Sequence, residues 1–162
     1  MRTASPKIFC LAISIFVFGL GATSFAEDSK NPKDWYERAR ADFEVAQLLF
    51  EKTNHYGIVC FHAHQAAEKA LKGALIGRGV LPGKFHYTAE LAENFSRFDP
   101  KASEWVASCK ELDRIYVPSR YPKNNGVEFT REAALNCIQN ARPAVDFVLG
   151  EAQVEPQIKS VN

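Results

Sequence analysis

The chain is predicted to be all-α, an antiparallel up-and-down bundle of four to five helices. Three observations predict it. Apolar residues return at steps of three and four through successive stretches, which gathers them on one side of a helix. No segment alternates apolar and polar residues with the period of two that a half-buried strand shows. Glycine, proline and asparagine separate the stretches, where a bundle needs turns. At 162 residues with 46% hydrophobic content, the chain suits one domain with a core that needs no staples.

The first helix is expected to be capped by Asp34 and to reach about Thr53, with Trp35, Ala39, Phe43, Ala46 and Phe50 turned inward. Asn54 and Gly57 mark the turn into a second helix, which ends near Gly77 and Gly79. Pro82 and Gly83 then break the chain. Thr88 is placed to cap a third, short helix reaching about Phe98. It forms no strict capping box, because Leu91 stands three residues on and the nearest acid is Glu90. Asp99-Pro100 is a turn, after which Trp105, Cys109, Leu112 and Tyr116 trace a fourth helix. Pro118 and Pro122 bracket a loop holding Arg120, extended by Asn124, Asn125 and Gly126. A last helix starts at Thr130 with Ala134, Cys137, Ile138, Ala141, Val145 and Val148 inward, and Pro143 should kink or locally break it.

The organisation that follows is a leader at 1–26, a linker at 27–33, the helical domain at 34–150 and a flexible tail at 151–162. Arg2 and Lys7 precede nineteen uncharged residues, 8–26, and Ser24-Phe25-Ala26 supplies small residues at the usual cleavage positions. That is the pattern of a secretory signal peptide. An uncleaved membrane anchor is the rival, since a span needs roughly 20 apolar residues. Secretion or a periplasmic location follows if the leader is real, and a cytoplasmic one if translation starts downstream. Without residues 1–26 the chain has 18 basic and 19 acidic side chains, so its net charge moves from +1 to −1. Such a balance argues against a chain-wide electrostatic grip on nucleic acid. Cys60, Cys109 and Cys137 each sit among apolar residues on predicted helices and are expected to act as small buried hydrophobes. An odd number cannot all pair internally. No metal-ligand spacing occurs, and no metal or cofactor is expected.

Tyr56 to Leu75 carries the most information. Val59, Ala63, Ala66, Ala67, Ala70 and Ala74 form a seam of small residues, where a neighbouring helix can approach closely. Beside it Gln65, Glu68 and Lys72 line up as a polar stripe. This helix, with Tyr56, Phe61 and Gln65-Ala66-Ala67-Glu68-Lys69-Ala70-Leu71-Lys72, resembles the second-helix signature of the HEPN domain. Four further stretches match in order: Trp35 with Ala41-Asp42-Phe43 and Ala46; His86 before Leu91; Leu112-Asp113-Arg114 and Tyr116 before Ser119-Arg120-Tyr121-Pro122; and Thr130-Arg131-Glu132-Ala133-Ala134. The resemblance covers about residues 34–150.

It implies a helical bundle that commonly forms homodimers. It also implies an RNA-binding or RNA-cleaving role, often beside a minimal nucleotidyltransferase in toxin–antitoxin or defence systems. Ribonuclease members carry Arg, four to six residues, then His. Here no His follows Arg120. Cleaving RNA without a metal needs a group that moves protons near neutral pH, which His supplies and Arg does not. Catalysis would then need His86, His62 or His64 to approach Arg120 in the fold, with His86 as proton donor or acceptor.

The residues instead suit binding. Arg120 and Lys72 would hold phosphate, Tyr116 or Tyr121 would stack on a base, and Gln65 or Glu68 would bond a base edge or ribose. Asp113 joins this set, although an Arg120 pair with Asp113 or Glu68 would only fix the loop. Three readings stand: a non-catalytic module binding nucleotide, RNA or a protein partner; a metal-independent ribonuclease around Arg120; and an exported helical protein without nucleotide contact.

Overall fold

Asn31 and Pro32 open the first helix. Pro32 occupies its first turn, where a missing N–H costs nothing, and the Asn31 side chain accepts from Lys33 N at 3.2 Å. The cap is therefore Asn31 and not Asp34. Asp34 lies in the first turn and accepts from Ser29 Oγ at 2.6 Å and Asn31 Nδ2 at 3.0 Å. The computed structural model describes residues 28–121 and 128–158, with side chains as far as residue 150. The leader at 1–26 with Glu27, the loop at 122–127 and positions 159–162 lie outside the described residues.

The elements are α1 (Pro32–Lys52), α2 (Tyr56–Gly77), α3 (Thr88–Phe95), a 3-10 turn (Pro100–Trp105), α4 (Val106–Ile115) and α5 (Arg131–Ile158). Every regular element among the described residues is helical, and none is a strand. α2 is the central helix and packs against α1, α3, α4 and α5. A helix surrounded on most sides buries most of its residues, which is why the small-residue seam is fully used inside the chain. Among the described residues the apolar core runs from Ala39 to Val148.

Three expectations change at the helix ends and interiors. Tyr87 is the N-cap of α3, so Thr88 is its first residue, and the cap's hydrogen bonds come from α4. Trp105 ends a 3-10 turn and does not belong to α4. α5 runs through Pro143 without a break, because the packing of Ala141, Ala144 and Val145 in the core outweighs one lost backbone bond. Thr130 does initiate α5, its Oγ1 accepting from Ala133 N at 3.1 Å.

The cysteines differ from expectation in the same way. Cys60 of α2 and Cys137 of α5 form a disulfide, their Cα atoms 5.2 Å apart and 77 residues apart in sequence. Two helix faces packed in one core bring them within bonding reach, which sequence spacing does not encode. Among the described residues Cys109 is the free thiol, and it is buried. Burial pushes its pKa up to about 12, so it stays protonated and unreactive.

At Gly73 α2 packs tightly against side chains of α1. A Cβ there would stand 2.6 Å from Tyr36 Cε1 and 3.0 Å from Trp35 Cβ. Gly73→Ala is expected to cost about 1–3 kcal/mol by overpacking, despite alanine's better helix propensity. A urea melt checks it, and an unchanged midpoint would contradict this packing. Gly79 and Gly83 take positive φ at 79° and 58° and turn the chain from α2 towards α3.

Candidate functional site

The polar stripe of α2 points into the protein. Glu68 is 5% exposed and Lys72 4%, with Gln65 half-buried beside them. Glu68 is a hub. Its Oε1 lies 3.0 Å from Lys72 Nζ and accepts from His86 Nδ1 at 3.0 Å. Its Oε2 accepts from Gln65 Nε2 at 3.0 Å. Because a carboxylate only accepts, the proton on neutral His86 must sit on Nδ1, leaving Nε2 as the free base. Lys72 also lies 5.5 Å from the centre of the Trp35 ring, so its ammonium group is enclosed by α1 and Glu68.

His64, fully buried, joins this hub to a second carboxylate. Its Nδ1 lies 3.8 Å from Glu68 Oε2 and its Nε2 lies 3.4 Å from Asp113 Oδ1. Neither ring nitrogen makes a well-formed hydrogen bond. His62, two residues away, faces α1 instead and meets Asp42 at 2.9 Å, a carboxylate that Lys69 also contacts.

Asp113 caps α3 from α4. It accepts from Thr88 N at 2.7 Å, Thr88 Oγ1 at 2.9 Å and Ala89 N at 3.0 Å. Burial alone would raise its pKa, but His64, the two backbone N–H groups and the Thr88 hydroxyl outweigh it and hold the value below 3.8. A folded-state pKa below the unfolded one stabilises the protein above the unfolded value and loses that contribution as pH falls through the folded one. Asp113→Asn is therefore expected to cost about 1–2 kcal/mol at neutral pH, as for a lost helix cap. The gap to the native protein should narrow as pH is lowered below 3.8. Melts at neutral and acid pH check both statements, and a gap that widens in acid would refute the second.

Tyr116 gathers the aromatic and cationic groups. Its ring centre lies 4.9 Å from that of His64, 6.3 Å from Tyr87, and 5.7 Å from His86, which is nearly parallel to it at 21°. The Arg120 guanidinium lies 3.8 Å from the Tyr116 ring centre and 4.6 Å from that of Phe61. Its Nη1 donates to Tyr116 O at 2.7 Å. Among the described residues Arg120 has no carboxylate partner, so the expected pairing with Asp113 or Glu68 is replaced by stacking. Asp113 is occupied by α3 and Glu68 by Lys72 and His86. Burial lowers the Arg120 pKa, opposed by Tyr116, Glu68 and Tyr121, and the group remains cationic.

The structure therefore brings Gln65, Lys72 and His86 around the Glu68 carboxylate, and Asp113, Tyr116 and Arg120 beside them through His64. Tyr121 is 62% exposed at the end of the same segment. The roles of Thr88 and Phe61 could not be read from the sequence. His64 had one sequence signal, its i, i+4 spacing from Glu68 on the central helix. Among the described residues, no group of three or more His, Cys, Asp or Glu side chains is arranged to hold a metal.

The HEPN domain family model matches residues 32–152. The chain is 29% identical over 132 residues to "Putative toxin MJ1304" of Methanocaldococcus jannaschii, covering 74% of this chain and 86% of that protein. It also resembles the crystal structure of TT1696 from Thermus thermophilus, at 30% identity and a TM-score of 0.66, over 74% of this chain and 97% of that one. A second crystal structure, ST0689, described as an archaeal HEPN homologue, is 27% identical with a TM-score of 0.60, over 76% and 98% of the two chains. The family match takes in the central helix with its Glu68 hub and the Asp113–Arg120 segment alike, and the chain belongs to the HEPN domain family.

Proposed function

We propose that this chain is a binding module for a phosphate-bearing ligand, a nucleotide or an RNA strand, held on the Tyr116–Arg120 face. The observation that carries it is the state of Arg120. The centres of two aromatic rings lie 4.6 and 3.8 Å from the guanidinium, and only Nη1 has a hydrogen-bond partner among the described residues. The other donors, unpaired among those residues, suit an anion. His86, with its side chain 52% exposed, and the exposed Tyr87 and Tyr121 offer faces on which a base can stack. Lys72 has a supporting role in this reading, since its charge is enclosed with Glu68.

Titration of the protein with a fluorescent nucleotide and with short single-stranded RNA tests the reading. Arg120→Ala is expected to weaken binding about tenfold, as for a lost charge-assisted contact. If the native protein binds neither probe, the proposal fails. One observation favours a second reading: Glu68 orients His86 as a carboxylate orients a catalytic imidazole, at 3.0 Å. RNA cleavage abolished by both His86→Ala and Arg120→Ala would replace the binding module with a ribonuclease.

A homodimer and a nucleotidyltransferase partner are proposed on likeness to the family alone, because the small-residue seam is occupied within the chain. A monomeric mass by light scattering would remove the dimer. An extracytoplasmic location is proposed on the leader-like residues 1–26 together with the Cys60–Cys137 bond, which persists in oxidising compartments. Detection of the native protein in the cytosol with both thiols reduced would reverse it.

A further inference from the structure

We propose that the α2–α3 loop and the end of α3 form a docking surface for an anionic lipid bilayer. Exposed large apolar side chains concentrate there: Leu81 is 64% exposed, Phe85 50%, Phe98 44% and Val80 37%. These four surround one hollow of about 190 Å³, with Arg97 at its edge. A second hollow, of about 260 Å³, shares Leu81 and Pro82 with the first and is bordered by Lys30, Lys84 and Asp28. Lys84 and Arg97 supply the positive charge of the patch, and Asp28 is the acid that lines the hollows. Of the nearby acids, Glu93 of α3 lies 3.7 Å from Lys110, Glu90 of α3 is half-buried, and Asp99 accepts from Lys101 N.

Aliphatic and phenyl groups ringed by lysine and arginine suit the boundary between acyl chains and acidic headgroups. RNA could stack on Phe85 or Phe98, but the aliphatic Leu81 and Val80, the first of them the most exposed apolar side chain of the patch, offer it neither stacking nor pairing. The position in the chain points the same way. Asp28 borders the second hollow, and the uncharged run 8–26 ends two residues before it, at most about 7 Å of chain away. As a signal peptide or an anchor, a run of that composition would bring its chain to a bilayer, and this support is lost if translation starts downstream. Glycine at positive φ at 79 and 83 presents the loop, and Phe85 turns outward while its neighbour His86 turns in to Glu68.

Co-sedimentation of the chain beginning at Glu27, its folding first established by a cooperative thermal melt, tests the proposal. The vesicles would be phosphatidylcholine alone, or phosphatidylcholine with an equal part of phosphatidylglycerol. The native protein is expected to sediment with the anionic vesicles and to be released by salt. Leu81→Asp with Phe85→Asp should lower binding by about tenfold or more, and Lys84→Glu with Arg97→Glu by several-fold. All four positions are exposed, and a thermal melt confirms that each variant is folded. The proposal is overturned if the native protein stays in solution, or if it binds both vesicle types alike. It is also overturned if neither double variant changes binding, or if the patch instead pairs two copies, shown by a native dimer that Leu81→Asp with Phe85→Asp converts to a monomer without any vesicle binding.

Discussion

Replacing Cys60 and Cys137 together by alanine, or reducing the bond between them, is expected to lower stability by about 2–4 kcal/mol. The bond joins the central helix to α5 across 77 residues, so it removes many open arrangements of the unfolded chain. Both partners are nearly inaccessible in the fold, Cys60 at 0% and Cys137 at 5% exposure. Reductant should therefore act slowly on the folded protein and quickly once it opens. For a domain of this size the cost corresponds to roughly 10 °C in Tm. Thermal melts with and without reductant measure it, with Cys109→Ser run alongside. Cys109 is buried and held as the thiol, so it should not exchange with the bond. Coincident melts of the oxidised and reduced protein would show that the bond carries no stability.

Helix positions followed from apolar periodicity because each helix here faces one core. The inward residues named for α5, Ala134 through Val148, are all buried, as are Ala39, Phe43 and Ala46 of α1. Helix starts followed less well, because they depend on partners. Asp113, 25 residues away in sequence, supplies the cap of α3. The candidate site divides in the same way. Gln65, Glu68 and Lys72 share a face by local spacing alone, yet their spacing cannot tell an inner face from an outer one. That was decided by α2 becoming the central helix, which turned a stripe suited to solvent into a buried hub. His86 and Arg120 meet at Tyr116 only through the loop after α2 and the turn after α4, whose course no pattern in the chain encodes.

Glu68→Gln is expected to be among the most destabilising single changes in the domain, costing about 3–5 kcal/mol. The reason is Lys72. Lys72 as a residue is 4% exposed, and its ammonium lies 3.0 Å from Glu68 and is backed by the Trp35 ring. Neutralising Glu68 leaves that charge inside the protein without a counter-charge, and the penalty for an unpaired buried ion exceeds the net value of the pair. The double variant Glu68→Gln with Lys72→Met should therefore recover more than half of the loss, since it removes the stranded charge and fills a similar volume. Denaturant melts of both single variants and the double variant give the coupling directly. Simple additivity would mean that Glu68 stabilises the fold through Gln65 and His86 and not through Lys72. The imidazole resonances of His86 provide a second readout. They should move in Glu68→Gln and remain near native in Lys72→Met, because His86 Nδ1 bonds the carboxylate and not the lysine.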